Sequence, residues 1–574
     1  MTRRHSHRIA AVCALASSLL AATAGQAAPR KQAQADEPFF GSVDVNVVNV
    51  EVFVTDKAGR FVPGLTRDDF EIFEDGKPVE LTNFYVADSP APDPANPPAG
   101  GNAAAPSAAP SAMAAVPEEQ RLTLTVFLDN QSLTAVQRNR MVEPLQELIQ
   151  KRLGPGDQLM VVSYEGSGDV LVRQAMTGDR AAVAAALDKV AHGSALGSSR
   201  QLEVREILRQ METRSSDESA DASLTYGMIR TYAERRTAET RRSLEALGKL
   251  LDALAGLPGR KALLYVSGGL SLRPAQALLA AWSQRYGGNT TLEGFETDVS
   301  ALFRSVGERA NANRITFYTL ALPNVFSGRS AATADSDWKG EHETVETVNV
   351  TQSLQLVTAP TGGLISLDPS TPRVLLDQML YDFDHYYSLG YAPAAGRPPG
   401  DHRLQIKVKR PGLKVRHRGS FTDRSVDDRL VHQSLAALML GAKNQNPLDV
   451  RVRFEGERPG KKGRREVSMV VMFPLSKVAL LPQGETHQGR VSLLVGARDT
   501  KGRTSGVTRL VLPVRIADST LPGALKSVAA YRARVEIGDG PHRIVISLRD
   551  EYGNVSSVVT VPYGTGAAAA KSGR

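Results

Sequence analysis

Chemistry in this chain would begin at an acid that ends an apolar strand. Leu122-Thr-Leu-Thr-Val-Phe-Leu-Asp129 has the length and apolar run of a buried strand, and Asn130, Gln131 and Ser132 follow it. A carboxylate followed by two amides and a hydroxyl gathers oxygen acceptors at one strand end. The other reading of Asp129 is structural: an acid at a strand end can cap the next helix or accept bonds from loop amides. A second candidate is Val266-Ser267-Gly268-Gly269-Leu270, a serine at the end of another apolar strand. It is not a nucleophile elbow, because Tyr265 stands where that motif needs its first glycine, and no histidine or acid can be assigned to Ser267 by spacing.

Other catalytic patterns are missing from the sequence. Gly256-Leu-Pro-Gly-Arg-Lys261 precedes a strand, whereas a phosphate loop follows a strand and opens a helix. His192, His342, His385, His402, His417, His432, His487 and His542 are dispersed, with no HExxH and no paired zinc spacing. Cys13 is the single cysteine and falls in the amino-terminal leader, so the rest of the chain has no disulfide, thiolate metal site or cysteine nucleophile.

That leader places Arg3, Arg4 and Arg8 before an apolar run from Ile9 to Ala22 and then small residues to Ala28. The pattern predicts a cleaved secretory signal over 1–28 and a periplasmic or secreted product. The run is shorter than the roughly 20 residues of a spanning helix, so no membrane anchor is expected in the mature chain. With 574 residues the chain needs several cores. A formal charge of +8 from 69 basic and 61 acidic residues, without a concentrated basic stripe, argues against nucleic acid as a partner.

The positioning elements follow from periodicity. Alternation in residues 43–54 predicts a strand, and Asp75-Gly76 between strand-like runs predicts a tight hairpin, together a small β domain over 40–87. Residues 88–117 are almost wholly Ala, Pro, Gly, Ser and Asn, the composition of a linker. Over 118–384 strands alternate with helices, which predicts a mainly parallel sheet covered by helices. Strands return over 385–421, completing the amino-terminal β domain or packing beside it; 427–563 is strand-rich at sandwich spacing, and 564–574 is a tail.

VFLDNQS, LAGLPGRKALLYVSGGL, and DHYYSLGYAP followed by HRLQIKVKRPGLKVRHRGSF occur in order, after VVNVEVFVTDKAGRFVPGLTRDDFEIFEDGKPVELTNF. Together these phrases resemble the von Willebrand factor A-related proteins described mainly from Acidobacteria, across residues 40–421. The resemblance implies a von Willebrand A-like α/β domain flanked by β-sandwich-like domains. It also implies a metal-ion-dependent adhesion site of the pattern Asp-x-Ser-x-Ser at the end of the first strand. Here Asp129 is retained, while Gln131 and Leu133 replace the two serines and Gly268 stands where a further acid belongs. Thr225 is the candidate for the loop threonine of that site. The implied metal set is therefore a degenerate Asp129, Asn130, Gln131 and Thr225, and the ligand crevice is Asp129, Ser132, Ser267, Gly268 and Gly269.

The sequence thus predicts an exported, non-enzymatic interaction or adhesion protein. It has a protein partner and little or no use of Mg²⁺ or Mn²⁺. An envelope assembly or chaperone-like factor working through strand edges is the alternative, and a hydrolase built on Ser267 or Asp129 is the third reading.

Overall fold

The computed structural model describes residues 47–88, 121–152, 157–214, 219–287, 297–322, 337–367, 372–393, 400–442, 444–460 and 464–564. The expected signal segment, nearly all of the expected linker and the tail beyond 564 lie outside these residues.

Apolar residues at every second position bury one face of Val48–Thr55, and two segments far apart in the chain complete the sheet around it. Lys414–His417, Val48–Thr55, His385–Tyr391 and Leu81–Asp88 form one antiparallel sheet. Ser420–Asp423, Gly400–Val408, Phe70–Glu74 and Lys77–Val79 form the other. Between the sheets lie Val50, Val52, Phe70, Ile72, Tyr387, Leu389 and Ile406, all buried. Asp75 and Gly76 turn the 70–79 hairpin with φ of 50° and 79°, the left-handed pair that such a two-residue loop requires.

The central sheet runs, in space, Ile365–Ser366, Ile315–Ala321, Arg260–Ser267, Leu122–Asp129, Gln158–Tyr164, Leu171–Thr177. Adjacent pairs are parallel except the last, which is antiparallel. Leu122–Asp129 is buried at every position because helices cover both faces of the sheet. One face packs on Leu244, Leu247, Leu250 and Leu251 of the long helix Ser219–Ala255 and on Phe303 of Ser300–Ala312. The other packs on Met141, Leu145 and Ile149 of Ala135–Arg152 and on Leu376 and Met379 of Pro372–Asp384. Chain order along the sheet reverses between Leu122–Asp129 and Arg260–Ser267; a crevice at such a reversal is where open α/β sheets take ligands.

Between the antiparallel edge strand and Arg260–Ser267 the chain builds a helical cap. This cap opens with two helices, Gly197–Thr213 and Ser219–Ala255. Together with Gln276–Tyr286 they enclose a separate small core of Ile207, Met211, Ile229, Tyr232 and Leu278.

Beyond the central domain, Val426–Leu440 is a helix at the start of a region expected to be strand-rich. Ser425 caps it by accepting from the Asp428 amide at 3.1 Å. Its Met439 and Leu440 join the core of the α/β domain, while Leu430, Ala437 and Leu438 pack on Leu494, Val545 and Val558 of the following sandwich. That sandwich stacks the sheet of Arg451–Pro459, Arg465–Pro474 and Val528–Ile537 against a second sheet. The second is built on Thr486–Asp499, His542–Asp550 and Val555–Tyr563.

Candidate functional site

Asp129 ends its strand beneath the crevice, with none of its surface exposed. Its Oδ2 accepts from Ser132 Oγ at 2.7 Å, Tyr265 OH at 3.1 Å and Ser267 Oγ at 3.3 Å. The two serine hydroxyls lie 2.9 Å apart. Ser132 Oγ also accepts from the Gly268 amide at 2.9 Å, and Ser267 Oγ from the Gly269 amide at 3.0 Å. The structure therefore brings together all five crevice residues expected from the sequence, but as a buried, mutually bonded knot. Burial raises the Asp129 pKa, with the bonds from Ser132, Tyr265 and Ser267 working in the opposite direction. The same burial raises the phenol of Tyr265 well above its ordinary range.

The loop after Asp129 is packed so tightly against Gly268 that nothing larger fits there. A Cβ at residue 268 would stand 2.2 Å from the Ser132 carbonyl oxygen. An acid at this position, as the resembled adhesion site has, is incompatible with this course of the loop. Leu133 points into the apolar core on the other face of the sheet. Thr225, expected in a loop, sits inside the helix Ser219–Ala255. Its hydroxyl donates to the Asp221 and Ala222 carbonyls and accepts from Trp282 Nε1 at 3.2 Å. The resemblance had suggested it for a loop, and the cap helices carry it into their own packing instead.

Divalent Mg²⁺ requires about six oxygen ligands and gains most from several carboxylates. Asp129 Oδ1, Asn130 Oδ1 and Gln131 Oε1 are buried oxygens without a hydrogen-bond partner. They supply one carboxylate, whose second oxygen is already saturated by hydroxyls, and no route by which a partner's acid could complete the shell of a wholly buried Asp129. The set does not fit a metal-dependent adhesion site; ordered water is what such isolated oxygens need.

Gln131, from the same loop, reaches a cleft that the sequence did not reveal. Its walls include Gln131 and Gly268 from the sheet edge, Arg200, Tyr232 and Arg236 from the cap, and Glu346 from the helix Asp337–Thr358. Arg200 donates to the Gly269 carbonyl at 3.1 Å and to Glu346 at 3.3 Å, and Ser271 donates to Glu346 at 2.6 Å. Arg236 is gripped by Glu239 at 2.6 Å and Glu203 at 2.8 Å, while its Nε remains buried and without a partner. His342 lines the cleft almost fully buried, and burial lowers its pKa, leaving it neutral at pH 7. Fixed donors and acceptors on apolar walls are the composition of a recognition cleft.

Ser267 shows no bond to an imidazole among the described residues; its partners are Ser132, Asp129 and the Gly269 amide. One group with metal-ligand chemistry lies elsewhere, in the amino-terminal sandwich. Glu74, Asp75 and His402 bring donor atoms within 4.8 Å of one another. His402 Nδ1 is 2.8 Å from Asp75 and 3.5 Å from Glu74, and Asp75 also accepts from the Arg403 amide at 2.8 Å. Their separation in sequence hid this grouping, although the Asp75-Gly76 turn that supports it was readable.

The chain matches no family model and no curated protein sequence. Among solved structures, it is similar to proximal thread matrix protein 1 from the mussel byssus, at 12% identity and a TM-score of 0.21, over 46% of this chain and 47% of that one. A second crystal form of that protein gives 11% identity, a TM-score of 0.21 and coverage of 46% and 48%. A form with a zinc-occupied MIDAS motif gives 8% identity, a TM-score of 0.22 and coverage of 47% of each chain. This chain thus spans about half the length of each.

Proposed function

We propose that the chain is an exported, non-enzymatic protein-binding protein. On this reading its von Willebrand A-like α/β domain takes a partner in the cleft between the carboxyl edge of the sheet and the helical cap, without a metal at Asp129. One observation carries the reading: the loop after Asp129 is divided in role. Asp129 and Ser132 are sealed into a hydroxyl knot, whereas Gln131, whose side-chain oxygen is buried without a partner, lines the cleft together with Arg200 and Arg236. The leader sequence supports export. The bonding of Ser267, which among the described residues includes no imidazole and ties the hydroxyl to Ser132, Asp129 and the Gly269 amide, supports a binding role over hydrolysis.

A photo-crosslinking residue at Gln201, on the cleft wall, tests this in the native envelope. The reading expects a discrete adduct that disappears when Arg200 is changed to Glu, and no such adduct from the same residue at exposed Val511 on the far sandwich. Equal labelling from both positions, or an adduct indifferent to Arg200→Glu, would contradict it.

A further inference from the structure

The charges that line the cleft between sheet and cap cancel one another. Arg200 is paired with Glu346 at 3.3 Å and Arg236 with Glu239 at 2.6 Å, so two arginines meet two glutamates in the walls. Glu203 holds Arg236 a second time at 2.8 Å. His342 adds no charge at pH 7, because burial lowers its pKa. A charged group entering this space would give up its water and find every counter-charge already engaged, which is costly for either sign.

The polar groups left open there are neutral. Gln131 is 8% exposed, and its carboxamide makes no hydrogen bond among the described residues. His342 is 6% exposed, and its ring likewise makes no hydrogen bond among the described residues. A carboxamide and a neutral imidazole each carry both a donor and an acceptor, and buried groups of this kind are expensive to leave unmade. A peptide bond supplies the complementary acceptor and donor. Around these two groups stand the buried aliphatic side chains of Val204, Leu270, Leu278 and Val350. The enclosed space measures about 60 Å³. A benzene ring occupies a cavity of about 150 Å³, so an aromatic side chain is too large for this space, whereas an isopropyl group is not.

Given the partner-binding reading of this cleft, on which this step depends, we infer that it receives a small aliphatic side chain of the partner, of about the size of valine, together with the adjoining peptide groups, and turns away aromatic and charged side chains. Gln131 bonds to a peptide group through its carboxamide, His342 offers a second neutral partner, and the four aliphatic residues enclose the side chain. Arg200 and Arg236 hold the walls in place, with their charge neutralised by Glu346 and Glu239.

The test titrates the full mature chain at pH 7 with N-acetyl-valinamide, N-acetyl-phenylalaninamide and N-acetyl-aspartamide, read by ligand-observed saturation-transfer NMR. N-acetyl-valinamide should bind in the millimolar range expected of so small a molecule, and about tenfold or more tighter than the other two. Gln131→Met, which keeps the length and removes the carboxamide, should weaken that binding about fivefold. The same variant should melt no lower than the wild type, since it removes a buried amide that makes no hydrogen bond, and this separates lost binding from lost folding. Val374→Ala, at an exposed position of Pro372–Asp384, should bind as the wild type does. No binding of N-acetyl-valinamide at tens of millimolar, equal binding of all three probes, or unchanged binding in Gln131→Met would overturn the inference. An Arg200-dependent adduct from Gln201 without N-acetyl-valinamide binding overturns this inference and spares the partner-binding reading. Selective N-acetyl-valinamide binding without an adduct supports the assigned chemistry and counts against the partner.

Discussion

The two ends of one sheet bury charge in opposite ways. At the carboxyl edge a single carboxylate, Asp129, is sealed among neutral hydroxyls, and its pKa rises. At the amino edge a lysine is buried, and burial followed by Arg314 pulls Lys261 down to about 7. The difference is one of sign: burial favours the neutral form of an acid at the carboxyl edge and the neutral form of a lysine at the amino edge, so the two titrate in opposite directions from their ordinary values.

The sharpest way to break this comparison is to restore an acid at the carboxyl edge. Gly268→Asp should cost about 3 kcal/mol or more, because its Cβ would collide with the Ser132 carbonyl, and should not create Mg²⁺ binding. Chemical denaturation and Mg²⁺ titration of the variant check both halves. At the amino edge, Lys261→Met should be more stable than the wild type near pH 6 by about 1–2 kcal/mol. The ordinary lysine value is 10.5, so between about 7 and 10.5 the unfolded chain holds a proton that the folded chain has released. Wild-type stability therefore recovers as pH rises through that window, and the advantage of the variant should shrink by about pH 9.5. A smaller loss, about 1–2 kcal/mol, is expected for Ser267→Ala, which takes one donor from Asp129 and the acceptor from the Gly269 amide. Denaturation midpoints at fixed pH measure it.

Much of this architecture was legible because buried strands announce themselves. Leu122–Asp129, Arg260–Ser267 and the sandwich strands from Arg465 onward fall where alternation or short apolar runs place them. The Asp129 and Ser267 neighbourhood was legible too, since both end strands that pair side by side. Val426–Leu440 was not, because a helix packed on two cores carries apolar residues around most of its circumference and loses its stripe. Its Ser425 and Asp428 were a readable start signal. Thr225 was suggested for a metal site only by the resemblance, and its contact with Trp282 in the cap was not readable from the sequence. The cleft at Arg200 was invisible in sequence, because it collects residues from distant segments that folding alone brings together.

The central claim, that Asp129 is a buried structural acid and not a metal ligand, is tested most directly by the stability of Asp129→Asn against pH, with and without Mg²⁺. A folded-state pKa above the ordinary 3.8 means that the unfolded chain gives up its proton first, so wild-type stability falls as pH rises above that value toward the folded pKa. Asp129→Asn, free of that penalty, should be at least as stable as the wild type at pH 7, lose its relative advantage toward pH 4, and respond to Mg²⁺ no differently. A variant that is less stable at pH 7, alongside a wild type that Mg²⁺ stabilises through Asp129, would contradict the account.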